Sequence, residues 1–221
     1  MKTNDKLHIL NGQAMYDHFQ KTGFLRNEMM VPFNEAMCYG DTTSNVFSNE
    51  FISTRAKVHH VTSAEYKEIT MKPLHPLFNQ TFEKTELWFD DDMFCQINIL
   101  TILAWLDQVD YAHIIKLHIV DDQFKQIDSF TLKAQNYHKI YTLVLLDKIM
   151  PEHLEIPPLK RGVELYLTYL DPKSDLMTFI QKHKDTPEQQ LLTKLLTKFK
   201  HYGLGDTQYL EIIRGDSPPL C

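Results

Sequence analysis

Three consecutive carboxylates, Asp90, Asp91 and Asp92, separate the apolar run Leu87-Trp88-Phe89 from a long apolar stretch that starts near Met93. Carboxylates at a strand-to-helix junction suit two kinds of chemistry. One is structural: an Asp accepts hydrogen bonds from the free N–H groups of the helix's first turn, where the helix dipole also favours negative charge. The other is ligand binding. One Asp suffices for a cap, and three adjacent anions repel one another, so a cation or a donor-rich ligand would relieve the surplus. Mg²⁺ is such a cation, held by one or two carboxylates plus waters. Asp90 and Asp92 are therefore the candidate metal residues, with Gln96 one turn into the helix beside them.

Other polar groups follow apolar segments in the same way. Asn11-Gly12 closes Leu7-His8-Ile9-Leu10, Asn34-Glu35 closes Glu28–Phe33, and Asp121-Asp122 closes Ile114–Val120. In a parallel sheet such junctions converge at the carboxyl edge, where ligands of open α/β folds sit. The candidate ligand-binding residues are thus Asn11, Gly12, Asn34, Glu35, Arg55, Asp90, Asp92 and Gln96. Asn11-Gly12 also serves as a tight turn needed only by the fold. Arg55 reads equally as a site cation or as a partner for Glu50 or another surface acid.

Several reactions lack their motifs. There is no GxGxxG, Walker or Gly-x-Ser-x-Gly sequence, and no HExxH among the eleven histidines. Cys95 falls in a helix's first turn, which favours a thiolate, beside three Asp residues, which oppose one. No catalytic residue is assigned. The C-terminal segments carry Lys182, Lys184, Lys194, Lys198, Lys200 and Arg214, diluted by Glu188, Asp206 and Glu211. Opposite the stripe Leu191, Leu192, Leu195, Leu196 and Phe199 these lysines read as a solvated face, with nucleic-acid contact the sharper alternative.

The elements that position these residues follow from periodicity. Leu7–Leu10 reads as a strand, and Ala14, Met15, His18 and Phe19 as a helix ending at Gly23. Glu28–Phe33 reads as a second strand, in which Pro32 requires an edge or terminal position. A long helix is expected from Ser44, and Thr62-Ser63-Ala64-Glu65 signals the N-terminus of another, which Pro73 and Pro76 interrupt or end. Leu87–Phe89 and Ile114–Val120 are the next strands, flanking a helix around Ile97–Leu106 that is apolar on most sides and hence buried. Beyond about Gln126 the segments Tyr137–Ile149, Leu159–Leu170, Ser174–Lys184 and Pro187–Tyr202 read as successive helices without a strand. The expected fold is α/β, a Rossmann-like, mostly parallel sheet flanked by helices over residues 1–130, followed by a small all-helical subdomain over 131–221.

With 221 residues the chain can bury a full core without metals or disulfides. Its net charge of −6 argues against a general nucleic-acid footprint. Cys38, Cys95 and Cys221 form no even, paired framework. Met1–Lys6 leads into no signal-peptide apolar region, and no run approaches the roughly 18–20 apolar residues that span a bilayer. The expectation is a cytoplasmic protein with no membrane partner. Nothing in the sequence bears on its oligomeric state.

The chain resembles the bacterial family called domain of unknown function 1835. The resemblance is carried by Leu7–Gly12, by Val31-Pro32-Phe33-Asn34-Glu35-Ala36-Met37-Cys38-Tyr39-Gly40 and, most specifically, by Leu87–Asn98. Leu165–Pro172 and Tyr202-Gly203-Leu204-Gly205 are similar to the small helical domain that often follows it. Where the family often has Asp after the first Gly this chain has Gln13, and where it often has Pro after the second motif's Gly this chain has Asp41. The resemblance implies an α/β fold and no reaction.

The expected function is binding of a small polar or phosphorylated ligand at the carboxyl edge of the sheet. The alternatives are a metal-dependent phosphoryl or nucleotide hydrolase using Mg²⁺ on the same carboxylates, and a regulatory protein binding DNA or a protein partner through the C-terminal helices.

Overall fold

The computed structural model describes residues 5–215, so Cys221 and residues 1–4 lie outside it. Five strands form one sheet in the order β2-β1-β3-β4-β5, where β1 is Lys6–Leu10, β2 Met29–Pro32, β3 Lys84–Asp90, β4 Ile114–Val120 and β5 Gln126–Leu132. The first four run parallel and β5 runs antiparallel to β4. The fold is α/β, as expected. Pro32 ends the edge strand β2, where its missing N–H leaves no ladder bond unmade.

Alternation along the strands builds two different faces. Leu7, Ile9, Val31, Leu87, Phe89, Ile115, Leu117 and Ile119 all point to the main core. That face receives helix α5, Met93–Gln108, which is buried on nearly every side. The opposite face carries Lys6, His8, Glu86, Trp88, Lys116 and His118, partly covered by α1, Gly12–Thr22, through Met15 and Phe19.

Between β2 and β3 lie α2, Asn49–Val58, α3, Ser63–Tyr66, which continues through a π-turn at Lys67–Met71, and α4, His75–Asn79. The capping box at Thr62 and Glu65 is present, and Pro76 sits in the first turn of α4, where no N–H is needed. Helix α2 starts at Asn49, later than the helix expected from Ser44. Ser48 caps it through Phe51 N–H, Phe47 is left-handed at φ 62°, and the Gln108 side chain holds both backbone polar groups of Val46 in a loop.

After β5 come α6, Tyr137–Tyr141, which continues through a π-turn at Thr142–Leu146, then α7, Pro157–Tyr169, and α8, Asp175–Lys182. Helix α9, Glu188–Lys198, leads to a 3₁₀ turn at Lys200–Tyr202 and to α10, Asp206–Arg214. Helices α6 and α7 pack against α5, with Gly162 seated on the Gln96 side chain. Strand β5 corrects the reading of a strand-free segment after Gln126, and it spans the boundary expected between residues 130 and 131. Among the described residues no helix is long and apolar enough to cross a membrane.

Candidate functional site

The connection from β1 through β2 to β3 crosses from one side of β1 to the other, so the chain switches direction between β1 and β3. Asn11 N–H extends the ladder by donating to Trp88 C=O at 3.0 Å, and Gly12 opens α1 with φ +78°. The Asn11 amide does not cap α1. It donates instead to Cys95 Sγ at 2.8 Å, in the first turn of α5.

At the end of β3 the three Asp residues have separate tasks. Asp90 Oδ1 accepts from Asp91 N–H at 2.7 Å. Asp92 is the N-cap of α5, its Oδ1 accepting from Cys95 N–H at 2.7 Å. Asp91 faces the Arg161 guanidinium at 3.3 Å. Gln96 lies below, fully buried, its amide donating to Asp90 C=O at 2.7 Å and ordering the turn from beneath. At the end of β4, Asp121 Oδ1 accepts from Gln123 and Lys125 N–H and closes the turn into β5, while Asp122 faces Lys200 Nζ at 3.4 Å.

These strand ends form one wall of an open cleft of about 680 Å³. Asp90, Asp91, Asp92, Asp121 and Asp122 line it from the sheet, and Arg161, Lys198, Lys200 and His201 line it from α7, the end of α9 and the 3₁₀ turn after it. Burial, together with the neighbouring Asp92 charge, raises Asp90 to about 6. Burial raises Asp92 as well, against the pull of the Cys95 N–H bond. The Cys95 thiol is pushed well above its ordinary range by burial and by Asp92, so the helix terminus does not make it a thiolate. Among the described residues no group of three or more His, Cys, Asp or Glu side chains is arranged to hold a metal ion.

Asp90 gives a direct electrostatic test. A carboxyl whose folded pKa is raised supports the fold while protonated and loses that support as pH rises through about 6. Asp90→Asn keeps an acceptor for Asp91 N–H and removes the charge. With a discount for solvent screening of this half-exposed group, it should stabilise the protein at pH 7 by about 1–2 kcal/mol. The gain should vanish near pH 4, as urea melts at the two pH values would show.

Glu35 and Arg55 are brought together, but away from the cleft. Arg55 Nη2 lies 2.7 Å from Glu35 Oε1, and both side chains are fully buried. Arg55 also donates to the carbonyls of Ala36, Tyr39 and Asp41 at 2.6–2.9 Å. Glu35 accepts further from Ala36 N–H, from the Tyr66 hydroxyl and from His59 Nε2 at 2.5 Å. Asn98 clamps the same loop, donating to Glu35 C=O at 2.8 Å and accepting from Met37 N–H at 3.0 Å. Burial pushes the Glu35 carboxyl up, but Arg55 and His59 outweigh it and hold it well below the usual range. Arg55's partner is thus Glu35 and not Glu50. Asn34 stands half-buried nearby, its amide on Ile69 C=O at 3.1 Å and its own carbonyl accepting from Thr70.

The eight candidate residues therefore fall into separate groups. Asp90 and Asp92 line the cleft and Gln96 supports it, whereas Asn11 and Gly12, at the start of α1, lie outside its lining, Asn11 being tied to the buried Cys95. Glu35 and Arg55 lock the loop after β2, and Asn34 anchors the chain beside α3. The basic wall was visible only as scattered lysines: Lys198 and Lys200 read as a solvated face, and nothing near Arg161 marked it. Among known proteins, the chain significantly matches no family model, no curated protein and no solved structure, so a function has to be argued from this geometry.

Proposed function

We propose that the protein binds a small polar ligand carrying charge of both signs in the cleft at the carboxyl ends of β3 and β4. The observation that carries this reading is the opposition of five strand-end carboxylates to Arg161, Lys198, Lys200 and His201 across one open space. The two cross-cleft ion pairs, Asp91–Arg161 and Asp122–Lys200, are long at 3.3 and 3.4 Å and solvent-exposed. Such pairs contribute about 0–1 kcal/mol, so a ligand can replace them at small cost. An anionic group, phosphate included, would face the basic wall, where Arg161 offers a bidentate fork. A cationic group or a phosphate-bound divalent ion would face Asp90.

The test is thermal denaturation with a panel of nucleotides, sugar phosphates and phosphoamines, each with and without Mg²⁺. A ligand at 100 times its Kd should stabilise the fold by about 2.7 kcal/mol. Arg161→Ala combined with Lys200→Ala should abolish the shift. No shift from any compound, or a shift that survives the double variant, would sink the proposal.

The hydrolase alternative has one observation in its favour, the Asp90–Asp92 repulsion that a divalent ion would relieve. Mg²⁺ needs only one or two carboxylates when substrate phosphate and water complete its shell. Calorimetric Mg²⁺ binding lost in Asp90→Asn would support that reading, and absence of binding to the parent protein would remove it.

A further inference from the structure

The sheet face opposite α5 contains a cluster that the cleft does not use. Trp88 Nε1–H donates to His8 Nδ1 at 3.0 Å. An indole N–H can only donate, so Nδ1 carries a lone pair and the neutral ring has its proton on Nε2. That Nε2 is fully buried and has no hydrogen-bond partner among the described residues, Glu28 Oε2 standing 3.9 Å away. A second proton on His8 has one place to go, the Nδ1 position already facing the indole N–H. Glu86 Oε2 stands 3.7 Å from the same nitrogen.

Trp88 is also one of the contacts of the loop that follows α1, together with Phe19, whose ring lies 4.7 Å from that of Phe24. His118 stacks on the indole at 3.8 Å and 11°, and Phe24 meets it edge-on at 5.4 Å. Phe24 belongs to the connection between α1 and β2, in which Leu25 and Asn27 have φ of 60° and 73°. A leucine in the left-handed region is held there by its surroundings, so the loop is poised to relax when its contact weakens.

We propose that His8, Trp88 and Glu86 form a proton-driven switch, in which protonating His8 turns its Nδ1 from the Trp88 indole to the Glu86 carboxylate and releases the 23–28 loop from the sheet. The charged and titratable groups facing His8 are Lys6 on its own strand, Glu28 at the end of the loop, Glu86 on β3 and His118 on β4. His118 is itself tied to Glu86 at 2.9 Å and to Gln126 of β5 at 2.8 Å, with Lys116 beside it. Lys6 holds the other Glu86 oxygen at 3.1 Å. Burial lowers His8 to about 4, only partly offset by Glu86, so the ring is neutral at pH 7 and takes its proton in acid. A His with a lowered folded pKa stabilises the fold above its unfolded value of 6.5 and loses that contribution as pH falls toward about 4.

The experiment uses the full chain carrying Trp105→Phe, which leaves Trp88 as the single tryptophan. Its emission, its far-UV circular dichroism and the hydrogen exchange of residues 23–28, corrected for intrinsic rates, are followed from pH 8 to pH 3. The expected result is an emission transition centred near pH 4, with helix content unchanged and loop exchange at least tenfold faster. In His8→Gln, which retains an oxygen acceptor for the indole and cannot titrate, both changes should disappear. In Glu86→Gln, which removes the negative charge that draws the protonated ring, the midpoint should fall. A transition that survives in His8→Gln, a midpoint unmoved in Glu86→Gln, or a parent transition that coincides with loss of helix would each overturn the switch.

Discussion

Replacing Arg55 by methionine should lower the unfolding free energy at pH 7 by about 3–5 kcal/mol, the range for stripping one partner from a buried ion pair. Arg55 has no exposed surface, and its guanidinium serves one carboxylate and three backbone carbonyls of the loop 35–41. Methionine fills much of the volume and replaces none of those donors. The larger part of the loss comes from Glu35, left ionised in the core with only His59, Tyr66 and Ala36 N–H around it. Glu35 in the parent has a lowered pKa, so its contribution is intact above about 4.5 and is lost as pH falls below that. In Arg55→Met the stranded carboxyl gains a raised pKa and can neutralise, so the deficit should shrink between pH 7 and pH 5. Urea unfolding at both pH values checks the sign. Glu35→Gln added to Arg55→Met should recover part of the loss, since two neutral side chains leave no unpaired charge. Equal deficits at the two pH values would mean that the lost carbonyl bonds, not the stranded charge, dominate.

The same pair shows where the sequence stops being legible. Strand β4 was readable to the residue, and α5 by its lack of a polar face, because alternation and periodicity are local signals. Strand β5 was missed because it is an edge strand exposed along most of its length, so Gln126-Ile127-Asp128-Ser129-Phe130-Thr131-Leu132 shows no buried alternation. Its direction comes from the Asp121 turn, a local feature that one side chain closes with two backbone N–H groups. Helix α10 escaped notice for the related reason that glycine is its N-cap. The cleft's acids lie next to strand ends and were found as such. Its bases come from residues 161 to 201, and no local pattern reveals which strand end a distant helix will face. Glu35 and Arg55 were found as chemistry-bearing residues, but twenty positions apart in sequence they gave no sign that they would meet one another rather than a ligand.

Gly203 connects that distant segment to the strand end, and Gly203→Ala should cost about 2–4 kcal/mol. Two terms add. Gly203 has φ +67°, and an L-residue in the left-handed region loses about 1–2 kcal/mol. A Cβ there would also run into the Asp92 carboxylate. Asp92 cannot simply swing aside, because its Oδ1 caps α5 at Cys95 N–H, and surrendering a cap costs about 1 kcal/mol. Gly23→Ala is the matched control: its φ is +72° and nothing lies within 4 Å of the added methyl group, so only the backbone term of about 1–2 kcal/mol applies. The difference between the two variants in urea unfolding measures the fit of the α9–α10 turn against Asp92. If Gly203→Ala is no worse than Gly23→Ala, the turn yields freely and the basic wall is not held in register with the strand-end acids. If the difference is about 1–2 kcal/mol, the turn and the cap are rigid against each other, and the two walls of the cleft are set by one contact.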